Sequence, residues 1–168
     1  MRETVLAPAG MRETTLASAP RAVRSTFYEI KDGGGVRVAP VIDLSDRLPA
    51  GGFLSTADDL ARFGLALTDG DLVSTRTRAE MFRSQRTSTG EETGYGLGFE
   101  VHPSPFGLFV SHTGAVAGGT AALLIHVPSG TVLALTTNLG YATAVSPPPP
   151  KAGTPDPPKL VLPFIRTS

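Results

Sequence analysis

The sequence predicts an α+β fold in which an antiparallel sheet carries flanking helices. Two observations lead there. Residues 55–70 hold one amphipathic helical stripe, and from Gly94 onward the apolar residues gather into short extended runs separated by turns. The chain's 168 residues suit about one domain, and 40% hydrophobic with 18% charged residues suits a globular one.

Charge and composition remove several functions. Fifteen basic and fifteen acidic side chains cancel, with no basic stripe for nucleic acid and no polybasic cluster for an anionic membrane. The absence of cysteine rules out disulfides, thiolate catalysis and cysteine-ligated metals. No apolar run approaches the roughly 20 residues of a spanning helix. The start, Met1-Arg2-Glu3-Thr4, lacks the charged-then-apolar pattern of a signal peptide, and no compartment is indicated.

The first element is a near repeat. Met1-Arg2-Glu3-Thr4 with Leu6-Ala7 recurs as Met11-Arg12-Glu13-Thr14 with Leu16-Ala17, two copies where a solenoid needs three or more. Residues 21–50, punctuated by Gly33-Gly34-Gly35, Pro40 and Pro49, read as irregular connection with short extended pieces. Ser55 then precedes Thr56-Ala57-Asp58 in a capping-box spacing. Leu60, Phe63 and Leu67 make the apolar stripe, and Gly70 supplies the stop. A second short helix is predicted from Ser74 towards Gln85, with Ala79 and Phe82 facing inward.

Four strands follow. Tyr95, Leu97, Phe99 and Val101 alternate with other residues in the first, and Leu108-Phe109-Val110 forms the second. The third, from Ala121 to Val127, returns through Pro128-Ser129-Gly130 into the fourth, from Thr131 to Leu135. Such continuous apolar runs predict cover on both faces of the sheet. A partial domain over residues 1–145 and a proline-rich, polyproline-like or disordered tail over 146–168 complete the division.

The segment Ser111-His112-Thr113-Gly114-Ala115 is the candidate for chemistry. A histidine and a hydroxyl stand where an apolar strand ends, and the glycine after them admits a ligand to the backbone. On a regular strand His112 and Gly114 face one way and Thr113 the other, unless a bulge intervenes. The same residues fit a polar strand end that merely tolerates a histidine, and the tripeptide alone does not separate the two. His102 and His126 read as surface or strand-end residues, and no two histidines have metal-ligand spacing. Gly51-Gly52 and Gly118-Gly119 read as turns. Gly94-Tyr95-Gly96-Leu97-Gly98 lies in a strand pattern, not at a strand-to-helix turn, so it is not a dinucleotide fingerprint.

Five landmarks in order carry a resemblance. They are Pro8-Ala9-Gly10-Met11, the run from Pro49 through Gly51-Gly52-Phe53-Leu54-Ser55-Thr56 to Leu60, Gly94 to Gly98, His112-Thr113-Gly114, and Asn138. Together they resemble the C-terminal part of the β-lactamase-related serine hydrolases, a group with class C β-lactamases, D-alanyl-D-alanine carboxypeptidases and esterases. The forms Gly-Gly-Phe-Leu-Ser-Thr and Ser-His-Thr-Gly are most similar to the mitochondrial serine β-lactamase-like branch.

That resemblance implies a β-lactamase/transpeptidase-like fold and an acyl-enzyme acting on a small peptide, ester or β-lactam. It implies no cofactor. His112 and Thr113 would bind the substrate's polar or carboxylate group, Gly114 would let it approach, and the Ala115 N–H would be one oxyanion donor. Histidine in the family's lysine place is a weaker fixed cation, charged only part of the time near neutrality, which favours peptides or esters over β-lactams.

The family's Ser-x-x-Lys and Tyr-x-Asn have no counterpart here. Lysine occurs only at 31, 151 and 159, preceded three residues earlier by Tyr28, Pro148 and Asp156, and Asn138 follows Thr136 at the x-spacing. A serine without an adjacent base is a poor nucleophile at neutral pH, so Ser55 and Ser111 are not read as replacements. No catalytic residue is therefore expected in this chain, and the expectation is an incomplete, inactive domain lacking its N-terminal part, with an open sheet edge and marginal stability. A separately encoded N-terminal half would be its complementing partner.

Overall fold

A computed structural model of the chain describes residues 1–18, 25–44, 48 and 50–140. The predicted amphipathic helix is α1, Ala57–Asp69, ended by Gly70 in the left-handed region at φ 89°. Its N-cap is Thr56, whose hydroxyl accepts from the Asp59 N–H at 3.1 Å. The predicted cap, Ser55, meets the Thr14 hydroxyl at 2.7 Å instead. Two adjacent hydroxyls satisfy the same capping chemistry, and a tertiary contact takes one of them.

Helix α2, Thr75–Met81, starts as predicted, with Ser74 accepting from the Thr77 N–H at 3.1 Å. It stops short of Gln85. Phe82, just past its end, is buried, but Ala79 is exposed, because only the C-terminal end of this short helix docks. Arg78 donates to the carbonyls of Leu67 and Thr68, which the end of α1 leaves without helical partners.

The sheet has four antiparallel strands in the order β5-β6-β7-β8. They are β5 Glu100–Ser104, β6 Gly107–Val116, β7 Gly119–His126 and β8 Thr131–Thr137. All four strands differ somewhat from the predicted bounds, and two of the differences bear on the site. The run from Gly94 is not a strand: Gly96 N–H donates to Phe99 O at 2.7 Å and Leu97 N–H to Met81 O at 2.9 Å, so its backbone bonds fold it into a loop. Gly98 at φ 83° breaks the extended backbone there. Strand β6 runs past Val110 to Val116, so His112-Thr113-Gly114 lies within a strand and not at its end.

One face of the sheet carries the core: Leu67, Phe82, Phe99, Val110, Leu123 and Ile125 are all buried together. The rings of Phe82 and Phe99 meet edge to face at 5.2 Å. On the other face Leu133 and Leu135 remain 48% and 41% exposed. Among the described residues the expected cover on both faces is thus found on one, the side on which α1 packs against β7 and β8.

Helix α1 reaches the sheet through Gly64, which is buried mid-helix. A methyl group at that position would meet Val132 Cγ1 at 2.6 Å and Leu123 Cδ1 at 3.2 Å. Gly64→Ala is therefore expected to destabilise the fold by about 1–3 kcal/mol through overpacking, although alanine is the better helix former by about 1 kcal/mol. Urea unfolding measures it, and a stabilised variant would show that the helix is free to retreat.

The N-terminal segment packs against α1 through Ala66 and Phe63. Residues 2–6 form one wide helical turn, with Leu6 N–H bonded to Met1 O at 3.2 Å and Ala7 N–H to Arg2 O at 2.9 Å. The near repeat does not repeat in space: Met1 is exposed, whereas Met11 is buried with Ala9 and Ala66. Strand β1, Thr15–Leu16, pairs with β4, Phe53–Leu54. Strands β2, Tyr28–Ile30, and β3, Val36–Val38, form a hairpin around Gly33–35. Tyr28 N–H donates to Asn138 O at 2.8 Å, which fastens this hairpin to the end of β8. Pro49 and the tail from residue 141 lie outside the described residues.

Candidate active site

The last five residues of β6 form an open edge. Strand β5 stops pairing with it at Glu100 opposite Ser111, while β7 stays paired to the hairpin end, Val116 opposite Gly119. Among the described residues, 112–116 therefore have a neighbouring strand on one side only. Antiparallel residues point their backbone groups alternately to one neighbour and the other. The two-residue hairpin makes Val116 a bonded partner of Gly119, and Val127 N–H donates to Leu108 O at 2.9 Å, so the even-numbered residues face β7. The N–H and C=O of Thr113 and Ala115 are left pointing to the open side.

Side chains obey the other alternation. The ladder is continuous from Phe109 to Val116, with no bulge. His112 and Gly114 thus share the covered face with Val110, and Thr113 shares the opposite face with Ser111. A ligand that engages both His112 and Thr113 must lie along the edge, between the two faces. His112, Gly114 and Ala115 are exposed, and Thr113 is half-buried.

Tyr95 stands beside this edge. Its ring centroid lies 6.5 Å from that of His112, edge to face. It makes a bridge to Glu100, the residue at which β5 ends, and its carbonyl accepts from Gln85 N–H at 2.8 Å and Thr93 Oγ1 at 3.0 Å. The sequence pattern predicts strand for this glycine-rich run, and the placement does not follow from it. Its alternating pattern gave no sign of the loop.

Ser111 does have a base beside it, which corrects the sequence reading. His102 Nε2 lies 2.9 Å from Ser111 Oγ, and Glu100 Oε2 lies 3.3 Å from both atoms. The pairing of β5 with β6 brings them together, and the spacing of Glu100 and His102, two apart on one strand face, is the signal that was available. The arrangement differs from a relay triad, where the carboxylate holds the imidazole through its other nitrogen. Here the carboxylate and the serine share one nitrogen. The cluster clasps the end of β5 to β6 at the point where the open edge begins.

His126 caps a turn: its ring nitrogens contact Ser129 Oγ at 2.7 Å and the Phe106 carbonyl at 2.9 Å. Among the described residues no group of three His, Asp or Glu is placed to hold a metal, and no helix is long and apolar enough to cross a membrane. Two shallow hollows lie elsewhere. One is lined by Arg83, Ser84, Gln85, Arg86 and Glu92, and its arginines pair with Glu80 and Glu92. The other, between Gly10 and the start of α1, includes Arg62, whose guanidinium is raised further above its ordinary range by the hydrogen bond and charge of Asp58. Neither hollow contains His112. Among the described residues the candidate site is the open edge of β6.

The landmark segments converge only in part. Gly51 approaches Val116 at the end of the edge, and Tyr95 approaches His112. Asn138 lies instead beside the β2–β3 hairpin, its side-chain amide donating to Thr26 O at 2.9 Å.

A family model described as Beta-lactamase matches residues 1–151. No curated protein sequence matches the chain. Among solved structures, the D-stereospecific amidohydrolase from Streptomyces sp. is similar, with a TM-score of 0.66 and 24% identity over 83% of this chain and 43% of its own. The D-amino acid amidase from Ochrobactrum anthropi SV3 has a TM-score of 0.66 and 24% identity over 83% and 42%. The penicillin binding protein from Bacillus halodurans has 0.64 and 20% over 83% and 44%. The chain spans less than half the length of each of these proteins.

Proposed function

Because the chain belongs to the beta-lactamase family, we propose that it is the strand-bearing part of a serine hydrolase that works through an acyl-enzyme. Small peptides, amides and esters suit it better than β-lactams, since a histidine replaces the family's lysine at 112. The D-amino acid amidase and amidohydrolase likeness adds amides to that class. The observation that carries the reading is the open edge at residues 112–116, with the Ala115 N–H directed away from β7. On this reading the Ala115 N–H is one oxyanion donor, and His112 and Thr113 hold the substrate's polar group from either side of the edge. The motif forms Gly51-Gly52-Phe53-Leu54 and Ser111-His112-Thr113-Gly114 favour the mitochondrial branch on this reading. On this reading residues 1–145 are the domain, residues 146–168 are a proline-rich tail by sequence, and the chain alone is inactive.

The test is His112→Ala in the chain joined to a family N-terminal half. The kcat/KM is expected to fall roughly 10- to 100-fold, the loss of one hydrogen bond involving a charged group, with little change in Tm because His112 is exposed. Unchanged kinetics would reduce His112 to scaffold.

A second reading has its own support. The edge is intact while Ser-x-x-Lys and Tyr-x-Asn are both missing, which suits a non-catalytic binding or assembly module. That reading requires the chain alone to unfold cooperatively and to bind a penicillin or peptidyl ligand without acylation.

A further inference from the structure

We propose that Tyr95 is the specificity-determining residue of the edge, selecting small amides or peptides whose side chain is aromatic or branched and apolar. This rests on the reading that residues 112–116 hold substrate. Tyr95 is 39% exposed and takes no part in the buried core, so its ring is not needed for packing. The loop that presents it is nonetheless fixed on both sides. Its own N–H donates to Thr93 Oγ1 at 3.1 Å, Gly94 N–H to Ser84 Oγ at 3.0 Å and Val101 N–H to Gly94 O at 2.8 Å. Any side chain at Gly96 would collide with the Met81 carbonyl, which locks the loop against the end of α2.

The ring meets His112 through an edge-to-face contact at 6.5 Å. That contact leaves ring surface available to a ligand lying along the edge, and among the described residues its hydroxyl has no hydrogen-bond partner. An alanine-sized side chain cannot cover such a surface. A phenyl ring or an isobutyl group can, removing apolar area from water while the amide meets the strand.

The experiment uses the whole 168-residue chain, whose three histidines give separate ring signals by NMR. Phenylalanine amide and alanine amide are the probes. Both are expected to move the His112 signals and not those of His102 or His126, with phenylalanine amide binding about tenfold tighter. Tyr95→Ala should remove that preference and Tyr95→Phe should keep it. If the two amides bind alike to the unaltered chain, or if Tyr95→Ala retains the preference, the proposal is overturned and the edge reading stands. If neither amide moves His112 in the unaltered chain, both fall. The comparison in the unaltered chain decides the matter even if the alanine variant is unfolded.

Discussion

The chain alone is expected to turn over esters and amides about six orders of magnitude more slowly than the same chain joined behind a family N-terminal half bearing Ser-x-x-Lys and Tyr-x-Asn. The reason is a missing reacting group, not a misplaced one. No lysine here follows a serine at the required spacing, and an unactivated hydroxyl is a poor nucleophile near neutral pH. Among the described residues two serines have a histidine in reach. Ser129 lies 2.7 Å from His126, whose other ring nitrogen contacts the Phe106 carbonyl. Ser111 lies 2.9 Å from His102, but Glu100 engages that same nitrogen, and no described carboxylate orients the opposite one. Intact-mass measurement after exposure to a penicillin or a p-nitrophenyl ester checks this. The chain alone should show no acyl adduct, and the joined protein should show one on the supplied serine. An adduct in the chain alone, lost in Ser111→Ala, would sink the assignment and make the clasp a nucleophile.

Much of the fold was legible because the signals that specify it are local. Leu60, Phe63 and Leu67 share a helix face whatever surrounds them, and Gly70 can end a helix by its own conformational freedom. The run from Ala121 to Ile125, the Pro128-Ser129-Gly130 turn and the return strand likewise needed no partner to be recognised. What failed depended on distant residues. The loop at Tyr95 is set by carbonyls of Met81 and Phe99, and nothing in Gly-Tyr-Gly-Leu-Gly distinguishes it from alternating strand. Ser55 bonds to Thr14, 41 residues away, and Thr56 takes the cap role instead. The candidate tripeptide was found by composition, but its placement was not. That β5 ends at Glu100, and so leaves Thr113 and Ala115 with open backbone groups, follows only from register. Edges are properties of sheets, not of strands.

Asp59→Ala is expected to cost about 3 kcal/mol, the largest stability effect of any single change considered. Asp59 is 2% exposed, and its Oδ2 accepts from the Glu13 N–H and the Thr14 hydroxyl, each at 2.8 Å. Alanine leaves both donors without their acceptor. A donor so stranded costs roughly 1–3 kcal/mol when buried, and Thr14 is itself buried. With a denaturant slope near 2 kcal/mol per molar, the urea midpoint should fall by about 1.5 M. Asp59→Asn keeps one acceptor oxygen but adds two N–H donors, and should lie between the two. Thr14→Val removes its bond to Asp59 and the one to Ser55 Oγ and should cost about 1–2 kcal/mol alone, yet less in the Asp59→Ala background, where the first is already gone. Additive losses would mean that the two side chains act separately. A change under 0.5 kcal/mol for Asp59→Ala would show that the segment before β1 is not anchored through this carboxylate. Anchoring matters to the edge as well: β1 pairs with β4, and the chain just before β4 brings Gly51 against Val116, the last residue of the open strand. A loosened Asp59 should therefore weaken amide binding at His112 before the fold is lost, and NMR titration below the unfolding transition measures the two separately.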